Sequence, residues 1–173
     1  VNTVTTSLTS VDASASTGAI DIDTTATTST LTSVKTGSGN DKVKLDTADI
    51  LANGTISLGA GEDTLTLVSS AAKTVQYTLS GAETLALDGV GVGAPLVFSG
   101  ANVSGLTTVS TVAANLAATS LVNMGTQALI VDNKGITQDG GDLTSDHAGA
   151  TTLNYKADAA SVTAKTAQTS AAD

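Results

Sequence analysis

Asp41-Lys42-Val43-Lys44-Leu45, Asp63-Thr64-Leu65-Thr66-Leu67 and Glu83-Thr84-Leu85-Ala86-Leu87 carry one pattern three times, at intervals of 22 and then 20 residues. Each opens on an acid and then alternates polar with apolar residues, the period of a strand with one buried face. A second phrase, Leu8-Thr9-Ser10-Val11-Asp12, returns 23 residues later as Leu31-Thr32-Ser33-Val34-Lys35, and more loosely as Leu106-Thr107-Thr108-Val109-Ser110. A unit of two or three short strands cannot bury its inward face alone. Stacked on its neighbours it can, and the backbone then pairs along the stacking axis. The expectation is an all-β fold, a right-handed parallel β-helix (solenoid) with rungs of 20–23 residues, forming a single repeat domain over residues 1–173 that is a piece of a longer chain. Such rungs would number roughly eight. A β-sandwich, with strands every ~8–12 residues, accounts less well for the recurring offsets.

Working outward, the same alternation predicts short strands at Ala19–Asp23, Thr55–Leu58, Gln76–Leu79, Leu96–Ser99, Leu121–Met124, Ala128–Asp132 and Thr151–Tyr155, separated by clusters of Gly, Asn, Asp and Ser. Thr111–Thr119 and Ala157–Ala172 are rich in Ala, but their Thr, Val and Ser content argues against helix. Composition points the same way. Hydrophobic residues make up 40% of the chain and aromatics only 2%, namely Tyr77, Phe98 and Tyr155. A narrow interior filled by aliphatic side chains suits stacked rungs better than a rounded core built on rings.

Charge and residue usage exclude several functions. The formal net charge is −9 and every basic residue is a lysine, so bidentate phosphate recognition by Arg is unavailable and a polyanion is repelled. Nucleic acid is not an expected partner. The chain has no cysteine, which removes thiol catalysis, thiolate metal sites and disulfide staples. No apolar run is long enough to span a membrane as a helix. The one histidine, His147, sits between Asp146 and Ala148 and reads as an exposed loop residue rather than a base.

The specific chemistry lies in two loops. Thr36-Gly37-Ser38-Gly39-Asn40-Asp41-Lys42-Val43 and Leu58-Gly59-Ala60-Gly61-Glu62-Asp63-Thr64-Leu65 share a Gly-x-Gly-(Asn/Glu)-Asp frame. Alternate glycines let the chain turn so that carbonyl oxygens converge, and the aspartate adds a carboxylate where the strand begins. Calcium takes about six to eight such hard oxygens in loose geometry. At an offset of 22 residues, Gly37, Gly39, Asn40 and Asp41 would face Gly59, Gly61, Glu62 and Asp63 one rung apart. The expectation is a Ca2+ ion between two half-sites; Asp46 reads as part of a solvated face, although it lies close enough to the first loop to assist. The competing reading is of plain glycine turns between strands. Gln138-Asp139-Gly140-Gly141-Asp142 is a weaker candidate, through Asp139 and Asp142, because its register differs.

These loops resemble the Gly-Gly-x-Gly-x-Asp nonapeptide that binds calcium in RTX proteins, although the first glycine is Thr36 or Leu58 here. Leu8-Thr9-Ser10-Val11-Asp12-Ala13-Ser14-Ala15-Ser16-Thr17-Gly18-Ala19-Ile20 and Leu79-Ser80-Gly81-Ala82-Glu83-Thr84-Leu85-Ala86-Leu87 are similar to repeats of RTX-type, Caulobacter-like surface-layer proteins of Gram-negative bacteria, and related phrases occur in RTX adhesins. The resemblance runs through roughly residues 1–125 and is patchy beyond. It implies type I secretion, an extracellular place on the bacterial cell surface, a calcium-dependent β-helix and self-association into a lattice, with surface polysaccharide as a further partner. The expected role is structural and non-enzymatic. The stalk or binding module of an adhesin is the alternative. A β-helix polysaccharide lyase or epimerase is disfavoured, because such clefts use cationic, acid–base and aromatic groups that this chain scarcely has.

Overall fold

The computed structural model describes residues 8–25, 30–88, 96–111, 119–132, 143–147 and 153–156. Along these residues the chain forms β1 (Ser10–Asp12), β2 (Asp21–Asp23), β3 (Leu31–Lys35), β4 (Lys42–Asp46), β5 (Ile50–Ser57), β6 (Thr64–Val68), β7 (Lys73–Val75) and β8 (Thr78–Ser80). It continues as β9 (Thr84–Leu87), β10 (Leu96–Ser99), β11 (Thr108–Thr111), β12 (Thr119–Met124), β13 (Ala128–Asp132), β14 (Leu143–His147) and β15 (Leu153–Lys156), with no helix among the described residues. Every pairing is parallel. The fold is an all-β parallel solenoid.

The repeated acid-led phrase forms the backbone of the stack. It supplies the longest sheet, of seven strands in the order β15-β13-β11-β9-β6-β4-β2. Lys42 pairs with Thr64, Thr64 with Thr84, and Thr84 with Thr108, so neighbouring rungs differ in length while the register of the sheet is kept. The Leu-Thr-Ser-Val phrase supplies a second, four-stranded sheet, β1-β3-β5-β8. A third, β14-β12-β10-β7, begins only at Lys73. The third sheet starts in the same rung as β8, above which the second face narrows to a single parallel bridge, Leu79 with Val103.

Inward positions repeat in register. Val43, Leu65, Leu85 and Val109 form one column, and Leu45, Leu67 and Leu87 another, all buried. Each such side chain contributes about 1.5–3 kcal/mol of hydrophobic stabilisation. Outward positions of the same strands, such as Thr64 and Thr66, are half-buried and polar, which is the alternation that made the strands legible. The interior departs from expectation in one respect. Tyr77 and Phe98 are fully buried and meet edge to face, with ring centroids 6.4 Å apart at 64°. They pack at the level where the third sheet begins, Tyr77 two residues after β7 and Phe98 in β10, which pairs with β7. His147 also differs, since it closes strand β14 opposite Met124 rather than lying in a loop. The segment around Asp139 and Asp142, and Ala157–Ala172, lie outside the described residues.

Candidate cation-binding column

The two glycine loops connect the Leu-Thr-Ser-Val sheet to the long sheet, one rung apart, and stack directly. Ser38 and Ala60 form a parallel bridge. The Ser38 N–H donates to Ser16 O (2.8 Å), the Ala60 N–H to Gly37 O (3.0 Å) and the Gly39 N–H to Ala60 O (2.9 Å). The glycines serve this close approach. A Cβ on Gly59 would lie 1.8 Å from Gly37 O, and one on Gly61 2.1 Å from Gly39 O. Both also have positive φ, 85° and 142°. Gly37 has no such backbone requirement, yet a Cβ there would sit 2.0 Å from Ser16 O.

Immediately after the glycines, one acid per rung turns inward. Asp41 and Asp63 are 0% and 1% exposed. Asp41 Oδ1 accepts the Ile20 N–H (2.8 Å), Asp63 Oδ1 accepts the Asp41 N–H (2.7 Å), and Glu83 Oε2 accepts the Asp63 N–H (2.7 Å). Each carboxylate thus caps the strand start of the rung below. The register runs Ile20, Asp41, Asp63, Glu83, Thr107, so the acid column has a neutral residue at either end. A second, exposed column stands beside it, where Asn40 Oδ1 accepts the Glu62 N–H at 3.2 Å.

Capping uses one oxygen of each aspartate. Asp41 Oδ2 and Asp63 Oδ2 are buried and have no hydrogen-bond partner. Burial raises the pKa of Asp63; its hydrogen bond from Asp41 N–H opposes that rise, and the charges of Asp41, Glu83 and Glu62 add to it. Every charge acting on Asp63 is negative. A desolvated anion with anionic neighbours is costly unless a positive charge compensates it.

The column holds the hard-oxygen donors on which a calcium ion would draw. It offers two buried carboxylate oxygens, the exposed Glu62 carboxylate and Asn40 amide alongside, and carbonyls of Gly37 and Ala60 that each retain a second lone pair. Among the described residues no three His, Cys, Asp or Glu side chains form a ready cage, so carbonyls and water would complete the shell. Asp46 does not join the column. Its Oδ1 accepts the Ala48 N–H (2.8 Å) at the far end of β4. An open depression of about 420 Å3 lies beside the lower loop, lined by Ala19, Ile20, Asp21, Asn40 and Lys42.

Sequence reasoning paired the two loops but passed over Glu83 and Gly81. The signal was present, because Gly81-Ala82-Glu83-Thr84-Leu85 is the loop frame shortened by two residues. A Cβ on Gly81 would lie 2.6 Å from both N and O of Gly59, so Gly81 continues the glycine column. Comparison of the chain with protein-family models, with curated proteins and with solved structures found no match.

Proposed function

We propose that the chain is a load-bearing, non-catalytic segment of a bacterial cell-surface assembly, a solenoid whose rungs are drawn together by calcium in the acid column. The observation that carries this reading is the column itself. Its buried carboxylates are spent on the backbone of the neighbouring rung, and each aspartate leaves one oxygen unpaired. Groups so placed strengthen stacking. The likeness of the repeats to RTX-type surface-layer proteins supports an extracellular setting and self-association into a lattice, with surface polysaccharide as the natural anchor for such a layer.

Calcium modules outside the cell bind at about 10⁻⁴–10⁻³ M. At ten times its dissociation constant one ion adds roughly 1.4 kcal/mol. Stability would then be low where calcium is scarce and higher after export. Thermal unfolding followed by far-ultraviolet circular dichroism, with calcium and with excess chelator, tests this. The expected result is a higher midpoint with calcium, and an identical midpoint in both conditions sinks the calcium part of the reading. Light scattering during the same titration separates a lattice component, which grows into ordered assemblies, from an adhesin stalk, which stiffens without associating.

A further inference from the structure

The loops Gly37–Asp41 and Gly59–Asp63 define one interval between rungs, but the column contains three carboxylates and therefore two intervals. Glu83 closes the second. Its Oε2 accepts the Asp63 N–H at 2.7 Å, which sets the carboxylate on the backbone of the Asp63 rung. Its backbone is fixed on both sides. The Glu83 N–H donates to Asp63 O (3.2 Å), while Glu83 O accepts from the N–H groups of Thr107 and Thr108, each at 3.0 Å. The Thr107 hydroxyl adds a further bond to Glu83 O at 3.0 Å. The acid is thus held in place before any ion arrives. Asp63 contributes an unpaired, buried Oδ2, and Glu83 and Glu62 both bear on it electrostatically with no lysine among its neighbouring charges.

We infer that Asp63 and Glu83 form a second divalent-cation site, one rung above the Asp41–Asp63 site, with Asp63 shared between them. This rests on reading the column as a cation site and adds a specific residue and a stoichiometry to it. The rung of Glu83 lacks the second glycine and the Asn-Asp or Glu-Asp pair of the lower loops, so its ligands are the Glu83 carboxylate, Asp63 Oδ2 and water. Above Glu83 the column position is Thr107, a neutral residue, so a third ion has no carboxylate to close its site.

Isothermal titration of the full chain with calcium chloride decides the matter. Two ions per chain are expected for the wild type. One is expected for Glu83→Gln, one for Asp41→Asn and none for Asp63→Asn. Gln and Asn keep an oxygen to accept the capped N–H, and circular dichroism checks that each variant retains its β-structure. A wild-type stoichiometry of one overturns the Glu83 site without recourse to any variant, and so does an unchanged stoichiometry in Glu83→Gln. No binding by the wild type overturns the reading of the column as a cation site altogether.

Discussion

At the residue scale, the glycines and acids of the column separate two physical demands that a sequence presents as one motif. Gly59 and Gly105 have nearly the same backbone, φ 85° and 86°, but different surroundings. A Cβ on Gly59 would strike Gly37 O at 1.8 Å, whereas the nearest atom to a Cβ on Gly105 is 3.6 Å away. Gly105→Ala should therefore cost only the left-handed backbone strain, about 1–2 kcal/mol. Gly59→Ala adds a clash with fixed backbone and should cost at least ~3 kcal/mol. Chemical denaturation of the two variants checks the difference, and equal losses would show that rung contact is not what requires Gly59. The acids invite a parallel comparison in calcium-free buffer. Asp63→Ala strands the buried Asp41 N–H and should cost about 1–3 kcal/mol. Asp63→Asn keeps an acceptor and removes a desolvated charge, so its midpoint should lie above that of Asp63→Ala. Much of this was legible. Glycines and acids recur because each rung needs them at its corner, and the repeat displays that need. What was not legible is the direction of the carboxylates, down onto the backbone of the preceding rung, because that depends on register and not on residue type.

At the scale of single elements, the ends of the strands are closed by local side-chain contacts. After β2, Asp23 Oδ1 accepts both the Thr25 N–H (2.9 Å) and the Thr25 hydroxyl (2.6 Å). The hydroxyl bond, the backbone bond and the charge of Lys44 hold the Asp23 carboxyl below its ordinary value near 3.8, outweighing slight burial. A depressed folded-state pKa means that the stabilisation is complete above the ordinary value and is lost as pH falls through the lower one. The turn should thus hold at pH 5 and loosen only below the ordinary aspartate range. Thr25→Val should move the Asp23 titration, read by NMR, upward; an unmoved titration would remove the hydroxyl as its cause. At the same end of the long sheet, one rung on, Lys73 donates to Thr47 O and, at 2.7 Å, to Ile50 O, bridging the turn between β4 and β5. Burial lowers the Lys73 pKa, while Asp46 and Asp49 oppose that. Lys73→Met leaves both carbonyls without this donor and should destabilise the chain by about 1–3 kcal/mol. By contrast, the Lys44–Asp88 pair (2.7 Å) is about one-third exposed on each side. Lys44→Ala should change the midpoint by less than about 1 kcal/mol, and less still in high salt. Comparing the two lysine variants shows whether a turn latch outweighs a surface ion pair.

At the scale of the whole molecule, the solenoid is not uniform along its length, and that non-uniformity was hidden in the sequence. The repeated phrases name the long sheet, which persists through every level, but above β8 the second sheet narrows to the Leu79–Val103 bridge, while the third begins at β7. Nothing in the strand pattern of Lys73-Thr74-Val75 distinguishes a new wall from a continued one; only its pairing with Leu96–Phe98 does. The scarce aromatics suggested an interior lined by aliphatic residues, and for most columns it is, yet Tyr77 and Phe98 both stand inside it at the changeover. The cost of using a tyrosine there is visible, since its hydroxyl is buried without a hydrogen-bond partner. Burial, with the charge of Asp46, pushes its pKa well above the ordinary tyrosine value, so it stays neutral at any ordinary pH and its ring acts as packing. Tyr77→Phe removes the unsatisfied group while keeping the ring contact, and should leave stability unchanged or raise it by up to about 1 kcal/mol. Tyr77→Ala opens a cavity beside Phe98 and should cost about 3–5 kcal/mol. If Tyr77→Phe proves strongly destabilising, the hydroxyl has a partner that holds the two walls together, and the changeover depends on a polar link rather than on ring packing.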